Sequence, residues 1–174
     1  MARNIEIKSR ISSVESLAPR AAAIADQGPV HIQQDDTFFA CSTGRLKLRT
    51  FSAGEGELIY YRRADLSGPK ESFYLRTPVA TPDILRESLS LAYGQAGRVV
   101  KHRVLFIAGR TRIHLDRVAG LGDFLELEVV LDEDQSADEG VQEARRIMAL
   151  LSVDASQLIE GAYVDLLNGK EEAR

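Results

Sequence analysis

Alternation of polar and apolar residues is the feature that most restricts what this chain can fold into. In Asn4-Ile5-Glu6-Ile7-Lys8-Ser9-Arg10 the two kinds exchange places at almost every step, the period of a strand whose two faces meet different surroundings. Arg45-Leu46-Lys47-Leu48-Arg49, Arg110-Thr111-Arg112-Ile113-His114-Leu115-Asp116 and Phe124-Leu125-Glu126-Leu127-Glu128-Val129 repeat the pattern. Residues 58–63, 71–76, 101–107 and a stretch near 35–39 read as further strands, about eight in all, with glycines between them marking turns. Helical signals interrupt the strands. Residues 13–27 start at the capping Ser13 and stop at Gly28-Pro29; 81–93 open on Thr81-Pro82; 136–151 carry an apolar stripe; 155–167 form a shorter piece around Gly161. The expectation is one α+β domain over residues 1–174, built on an antiparallel sheet. Alternation alone leaves open whether the charged face meets solvent or an enclosed lumen.

Charge placement bears on that choice. Glu126 and Glu128 share one strand face, roughly 7 Å apart, and repel by about 2 kcal/mol at an effective dielectric near 20. Water removes most of that cost on an open surface; in an enclosed space an oxygen-bound divalent cation does so. Glu6 and Asp116 are placed to add oxygens. The basic residues form two-apart pairs: Lys8 and Arg10, Lys47 and Arg49, Lys101 and Arg103, Arg110 and Arg112, with Arg62 and Lys70 as further candidates. A solvated sheet face mixes signs, because like charges side by side destabilise it. Positive pairs recurring on strand after strand point to a polyanion that they surround, with a metal linking it to the acids. A triphosphate fits, since Arg forks onto phosphate oxygens and Lys supplies a mobile point charge.

Composition removes several alternatives. The formal net charge is −4 and Trp is absent, so neither a basic field nor a stacking platform for nucleic acid is expected. Cys41 is the single cysteine, which excludes an intrachain disulfide or a thiolate zinc site and agrees with a reducing, cytoplasmic setting. No signal-peptide pattern and no apolar run long enough for a membrane span occur. There is no Gly-rich phosphate loop ending in Lys-Ser or Lys-Thr, and no GxSxG elbow. Of the three histidines only His114 falls on the prospective inner face, and a lone histidine there reads as structural. A homodimer stays open, because the helix-packing faces cannot be told from an interface by inspection.

These residues, in this order, resemble the CYTH family of triphosphate tunnel metalloenzymes, and within it the class IV adenylyl cyclase branch. Asn4-Ile5-Glu6-Ile7-Lys8 is similar to the family's first strand, Glu-x-Glu-x-Lys. The runs 34–39 and 46–49 look like its second and third strands, and Lys101-x-Arg103 its Lys-x-Arg pair. The blocks 115–118 and 120–128 (Gly-Leu-Gly-Asp-Phe-Leu-Glu-Leu-Glu) carry the most specific likeness, and Ala162-Tyr163-Val164-Asp165-Leu166-Leu167 resembles its ending. The resemblance implies an eight-stranded antiparallel β-barrel with helices packed outside and a polar lumen. It implies an enzyme using Mg²⁺ or Mn²⁺, with Glu6, Glu126 and Glu128 as metal ligands and Asp116 ligating directly or through water, these four with Lys8 being the catalytic set. Lys8, Lys47, Arg49, Arg62, Lys101, Arg103 and Arg112 would bind substrate. In Arg62's strand the family's usual lysine could instead align with Tyr61. Asn4 departs from the pattern: its amide ligates a cation but brings no charge, which weakens one of two metal positions. The implied activity is conversion of ATP to cyclic AMP and pyrophosphate, with a triphosphatase acting on tripolyphosphate or thiamine triphosphate as the alternative. A non-catalytic triphosphate sensor comes third.

Overall fold

The computed structural model describes residues 2–172. Eight strands, β1 (Ala2–Arg10), β2 (Gln27–Phe39), β3 (Arg45–Phe51), β4 (Gly56–Arg63), β5 (Lys70–Val79), β6 (Gln95–Ala108), β7 (Thr111–Val118) and β8 (Gly122–Leu131), pair antiparallel throughout. They close into a barrel in the order β1-β5-β4-β3-β2-β6-β7-β8. Two hairpin-linked runs, β2 to β5 and β6 to β8, are joined on one side by the β2–β6 ladder. On the other side β1 lies between β5 and β8 and completes the circuit. Closure leaves no strand edge unpaired along the wall.

Four helices pack around this wall: α1 (Val14–Ile24), α2 (Pro82–Tyr93), α3 (Ala137–Leu150) and α4 (Tyr163–Glu172). Among the described residues no helix is long and apolar enough to cross a membrane. Ser13 caps α1 by accepting from the Ser16 N–H, and Ser136 with Glu139 forms a capping box on α3. The main apolar core lies outside the barrel. Ile5, Ile7, Phe106, Ile113, Leu115, Leu125 and Leu127 face outward from the wall and pack against Val14, Leu17 and Ala21 of α1 and Ala144, Ile147 and Met148 of α3. Gly140 lets α3 lie close, since a Cβ there would come within 2.4 Å of Ile5 Cγ1. With oily groups outside, period 2 sends the charged residues inward. One exception closes an end: Phe38, Val99, Val118 and Phe124 gather with Ala162, Tyr163 and Val164 in a second apolar cluster.

The sequence reading differs from the structure mainly at boundaries. α1 ends at Ile24 and not near 27, because the Asp26 N–H bonds the Ile107 carbonyl and Gln27 already pairs with Ile107. β2 and β6, with 13 and 14 residues, outrun the predicted 35–39 and 101–107. Their extra parts are largely exposed, and each is ordered by backbone pairing to the predicted part of the other strand, 27–34 on 101–107 and 95–100 on 35–39, without an apolar face to announce it. The piece predicted over 155–167 is a 3₁₀ turn, Ala155–Gln157, followed by α4 beginning at Tyr163.

Candidate functional site

Each wall strand contributes inward side chains two residues apart, and the ladder registers bring them together. β1 supplies Asn4, Glu6 and Lys8; opposite it β8 supplies Glu128 and Glu126, with Glu6 paired to Glu128 and Lys8 to Glu126. β7 adds Arg112 opposite Glu128 and His114 opposite Glu126. β6 adds Lys101 and Arg103, β3 adds Lys47 and Arg49, and β2 adds Gln34 and Asp36. These line a cavity of about 210 Å³. Eight Lys and Arg side chains line it against four carboxylates, a formal surplus of +4, although the whole chain carries −4. Asp116 behind the lining offsets Arg103, and Glu57 offsets the partly exposed Arg76, so a smaller excess of about two cations is held inside the barrel, where low dielectric makes it expensive without an anion.

Two ionic clusters organise this lining. In the first, Asp36, 1% exposed, accepts both arms of the Arg49 guanidinium at 2.8 Å, with Lys47 Nζ at 2.9 Å and Lys101 Nζ at 3.4 Å. Burial would raise its pKa, but Arg49, Lys101 and Lys47 outweigh burial and hold the carboxyl well below its usual range. One acid therefore gathers three cations and leaves most of their charge unspent. Lys101 feels the excess. Burial, reinforced by Arg49, Arg103 and Lys47 and only partly opposed by Asp36, brings its pKa down to about 7.

The second cluster is centred on Glu126. Lys8 Nζ lies 3.5 Å from its carboxylate, Arg103 Nη2 3.2 Å and His114 Nδ1 3.2 Å. Burial raises its pKa, but Lys8, His114 and Arg103 prevail and hold it well below the carboxylate range. Glu6 moves the other way. Burial and the charge of Glu126 raise its pKa in spite of Arg63, which donates to Glu6 Oε1. The charge of Glu126 thus reaches Glu6 within the lumen. Behind them Asp116, wholly buried, accepts two bonds of 2.7 Å from Arg103 and one of 2.9 Å from the Tyr163 hydroxyl. Lys8 sits 4.0 Å over the Tyr163 ring, against the apolar end.

Of the residues singled out from sequence, Glu6, Lys8, Lys47, Arg49, Lys101, Arg103, Arg112, Glu126 and Glu128 all line the cavity. Arg62 does not: the parity of β4 sends Ile59, Tyr61 and Arg63 inward, and Arg62 lies outside over the Phe73 ring. The alignment with Tyr61 already implied that parity. Arg10 stands exposed at the end of β1, Arg110 falls in the β6–β7 turn, and Lys70 donates to the Leu66 carbonyl. Asp116 is turned to Arg103 and Tyr163. Potential ligand atoms of His114, Glu126 and Glu128 lie within 4.8 Å of one another, so the histidine, and not Asp116 or Glu6, shares a metal-sized space with the Glu pair. Asp36 and Tyr163 lie in segments that carry the resemblance but have no role legible from sequence; their positions opposite Arg49 and beside Asp116 depend on register and on the segment after α3 folding back.

A closed antiparallel barrel with its apolar core outside and an ionic interior defines a tunnel protein. The chain belongs to the CYTH family, whose domain matches residues 2–163. Adenylate cyclase CyaB of Aeromonas hydrophila is 23% identical over 169 residues, covering 91% of this chain and 85% of that protein. PH1012 protein from Pyrococcus horikoshii OT3 superposes with a TM-score of 0.83 at 23% identity, over 94% of this chain and 98% of its own. HpAC1 from Hippeastrum, named for adenylyl cyclase and described as revealing a dominant triphosphatase activity, has a TM-score of 0.66 at 12% identity, over 99% and 96%. At these identities the structural likenesses bear on the fold.

Proposed function

We propose that the protein is a divalent-metal-dependent enzyme acting on the triphosphate of a nucleotide, converting ATP to cyclic AMP and pyrophosphate. The observation that carries this is the cationic excess lining a cavity within a chain of net charge −4. A bound polyanion offsets that surplus, and the acids on one wall supply a place for its metal. The residues fit a hard cation: Glu126 and Glu128 bring two carboxylates, and on the same lining Asn4 Oδ1 is a buried acceptor without a hydrogen-bond partner among the described residues. When bound, Mg²⁺ or Mn²⁺ would polarise the phosphoryl oxygens and neutralise charge on the departing group.

The chain's own groups do the rest. Lys47, Arg49 and Lys101, aligned by Asp36, would hold the phosphate tail; Arg112 and Lys8 would flank the reacting end. Positions fixed by a closed barrel and by buried ion pairs cost little reorganisation as charge develops. In-line attack by the ribose 3′ oxygen on the α-phosphorus, with pyrophosphate leaving, needs alignment more than covalent help. The CyaB relative supports this direction. A second reading, attack of water on the terminal phosphorus, is favoured by the triphosphatase activity described for the Hippeastrum neighbour. Incubation of the protein with ATP, tripolyphosphate and thiamine triphosphate under Mg²⁺ or Mn²⁺ separates them. Cyclic AMP with pyrophosphate is the expected product set; orthophosphate alone supports hydrolysis, and binding without turnover refutes both.

Lys101 gives the pH dependence. With its pKa at about 7 in the ligand-free protein, the amine is half charged near neutrality, and a bound phosphate chain raises that pKa by supplying the missing negative charge. Binding of tripolyphosphate near pH 7.5 is expected to take up protons, seen as a dependence of calorimetric heat on buffer ionisation enthalpy. Affinity should weaken as pH rises through 7 to 9. The folding sign is opposite: a lysine pKa depressed from 10.5 is a full penalty below about 7, relieved as pH rises toward 10.5. Heats independent of buffer, with affinity flat from pH 6 to 9, would remove Lys101 from the phosphate site.

A further inference from the structure

We infer that His114 is a metal ligand, completing with Glu126 and Glu128 a mixed imidazole and carboxylate site that prefers a transition ion such as Mn²⁺ to Mg²⁺. The inference rests on the metal-dependent reading above and specifies its ligand set. The other acids of the tunnel are engaged elsewhere. Asp36 gathers Lys47, Arg49 and Lys101; Asp116 holds the Arg103 fork and the Tyr163 hydroxyl; Glu6 carries Arg63. Asn4, the next inward residue of β1, brings no charge. Glu128, by contrast, has Arg112 as its only salt-bridge partner among the described residues, at 3.1 Å through one oxygen.

The histidine has the right position. Its Nδ1 lies 3.2 Å from Glu126 Oε1, and one ligand atom from each of His114, Glu126 and Glu128 falls within a 4.8 Å group. Adjacent ligands on a six-coordinate ion with bonds near 2.1 Å sit about 3 Å apart and opposite ones about 4.2 Å, so a small inward shift of these side chains would bring the group into one coordination sphere. Its ring is 4% exposed and faces the cavity. Asn4, 2% exposed and diagonal to Glu128 across the β1–β8 ladder, has an Oδ1 without a hydrogen-bond partner among the described residues, a second, independent mark that this wall is built to receive a cation. Donor chemistry then sets the ion. Mg²⁺ takes oxygen and sheds water reluctantly, whereas imidazole nitrogen suits first-row transition ions. The competing arrangement is a histidine that only donates to Glu126 and orients it without touching the ion.

Pulsed electron paramagnetic resonance on the full chain loaded with Mn²⁺, alone and with a non-hydrolysable ATP analogue, distinguishes the two. The expected result is a ¹⁴N coupling of a directly bound imidazole. It should disappear in His114→Gln and persist in a His31→Ala, His102→Ala double variant, whose histidines lie off the cavity lining. Mn²⁺ affinity should fall about tenfold or more in His114→Gln, while Mg²⁺ affinity, read by competition, changes little. Thermal melting of His114→Gln verifies that it is folded, and the wild-type spectrum decides the matter even if it is not. Bound Mn²⁺ with an oxygen-only sphere overturns the histidine assignment and leaves the metal-dependent reading standing. Failure to load Mn²⁺ under either condition overturns both.

Discussion

Glu126→Gln is expected to leave the barrel folded and to lower metal-dependent turnover by about 10³-fold or more, the several kcal/mol that a cation contributes to developing charge. The substitution keeps the shape of the side chain and removes the charge that faces Lys8, Arg103 and His114. Folding should survive at some cost: Lys8 loses its carboxylate partner, but Arg103 retains its two bonds to Asp116 and the repulsion felt by Glu6 is relieved. Product formation and Mn²⁺ binding, measured on the same preparation with a melting curve, provide the check. Turnover within a fewfold of wild type would mean that Glu126 holds no catalytic cation.

Arg103→Ala is expected to have the largest effect on stability, about 3–5 kcal/mol. From sequence this arginine reads as a phosphate ligand whose loss weakens binding. The structure gives it a further duty: its guanidinium forks onto Asp116, which is 0% exposed and, among the described residues, otherwise receives only the Tyr163 hydroxyl. Removing the arginine leaves a carboxylate in a dry site, where an uncompensated charge costs far more than the pair was worth. For a chain of this length the melting point should drop by about 6–20 °C. Asp116→Asn added to Arg103→Ala should recover part of the loss, because the charge that lacked a partner is gone. An unchanged melting point in the single variant, or no recovery in the double, would show that the pair is not structural. Lys101→Ala provides the contrast, since Asp36 keeps Arg49 and Lys47 and the main expected loss is affinity for triphosphate.

Strand identity, helix positions and the two-apart charge pairs were legible along the chain, because period-2 patterning and capping are local properties. Asn4 to Arg10 and Phe124 to Val129 could be read as strands with opposite faces before anything was known of their neighbours. Lys8, Lys47, Arg49, Lys101, Arg112 and the Glu126–Glu128 pair could be picked by that parity alone. Arg62 shows where the reading stops: Arg62 and Arg63 are adjacent, and only the register of β4 against β3 and β5 decides which one turns inward. The outer halves of β2 and β6 were hidden for a related reason, since exposed strands held by backbone pairing leave little trace in side-chain pattern.

What the chain alone determined is a set of alternating strands with like charges spaced to share a face, since sequence order fixes side-chain direction within each strand. Which way that face points was decided by closure and by the packing of α1 and α3 on the opposite face, which buries the isoleucines and leucines outside and commits the charges to the interior. The pairings that distinguish one acid from another are equally tertiary. Asp36 meets Arg49 through one strand register, Asp116 meets Tyr163 through the returning chain end, and His114 meets Glu126 across the β7–β8 ladder. Contacts between residues far apart in sequence depend on how separate strands align, and that alignment is a property of the whole barrel.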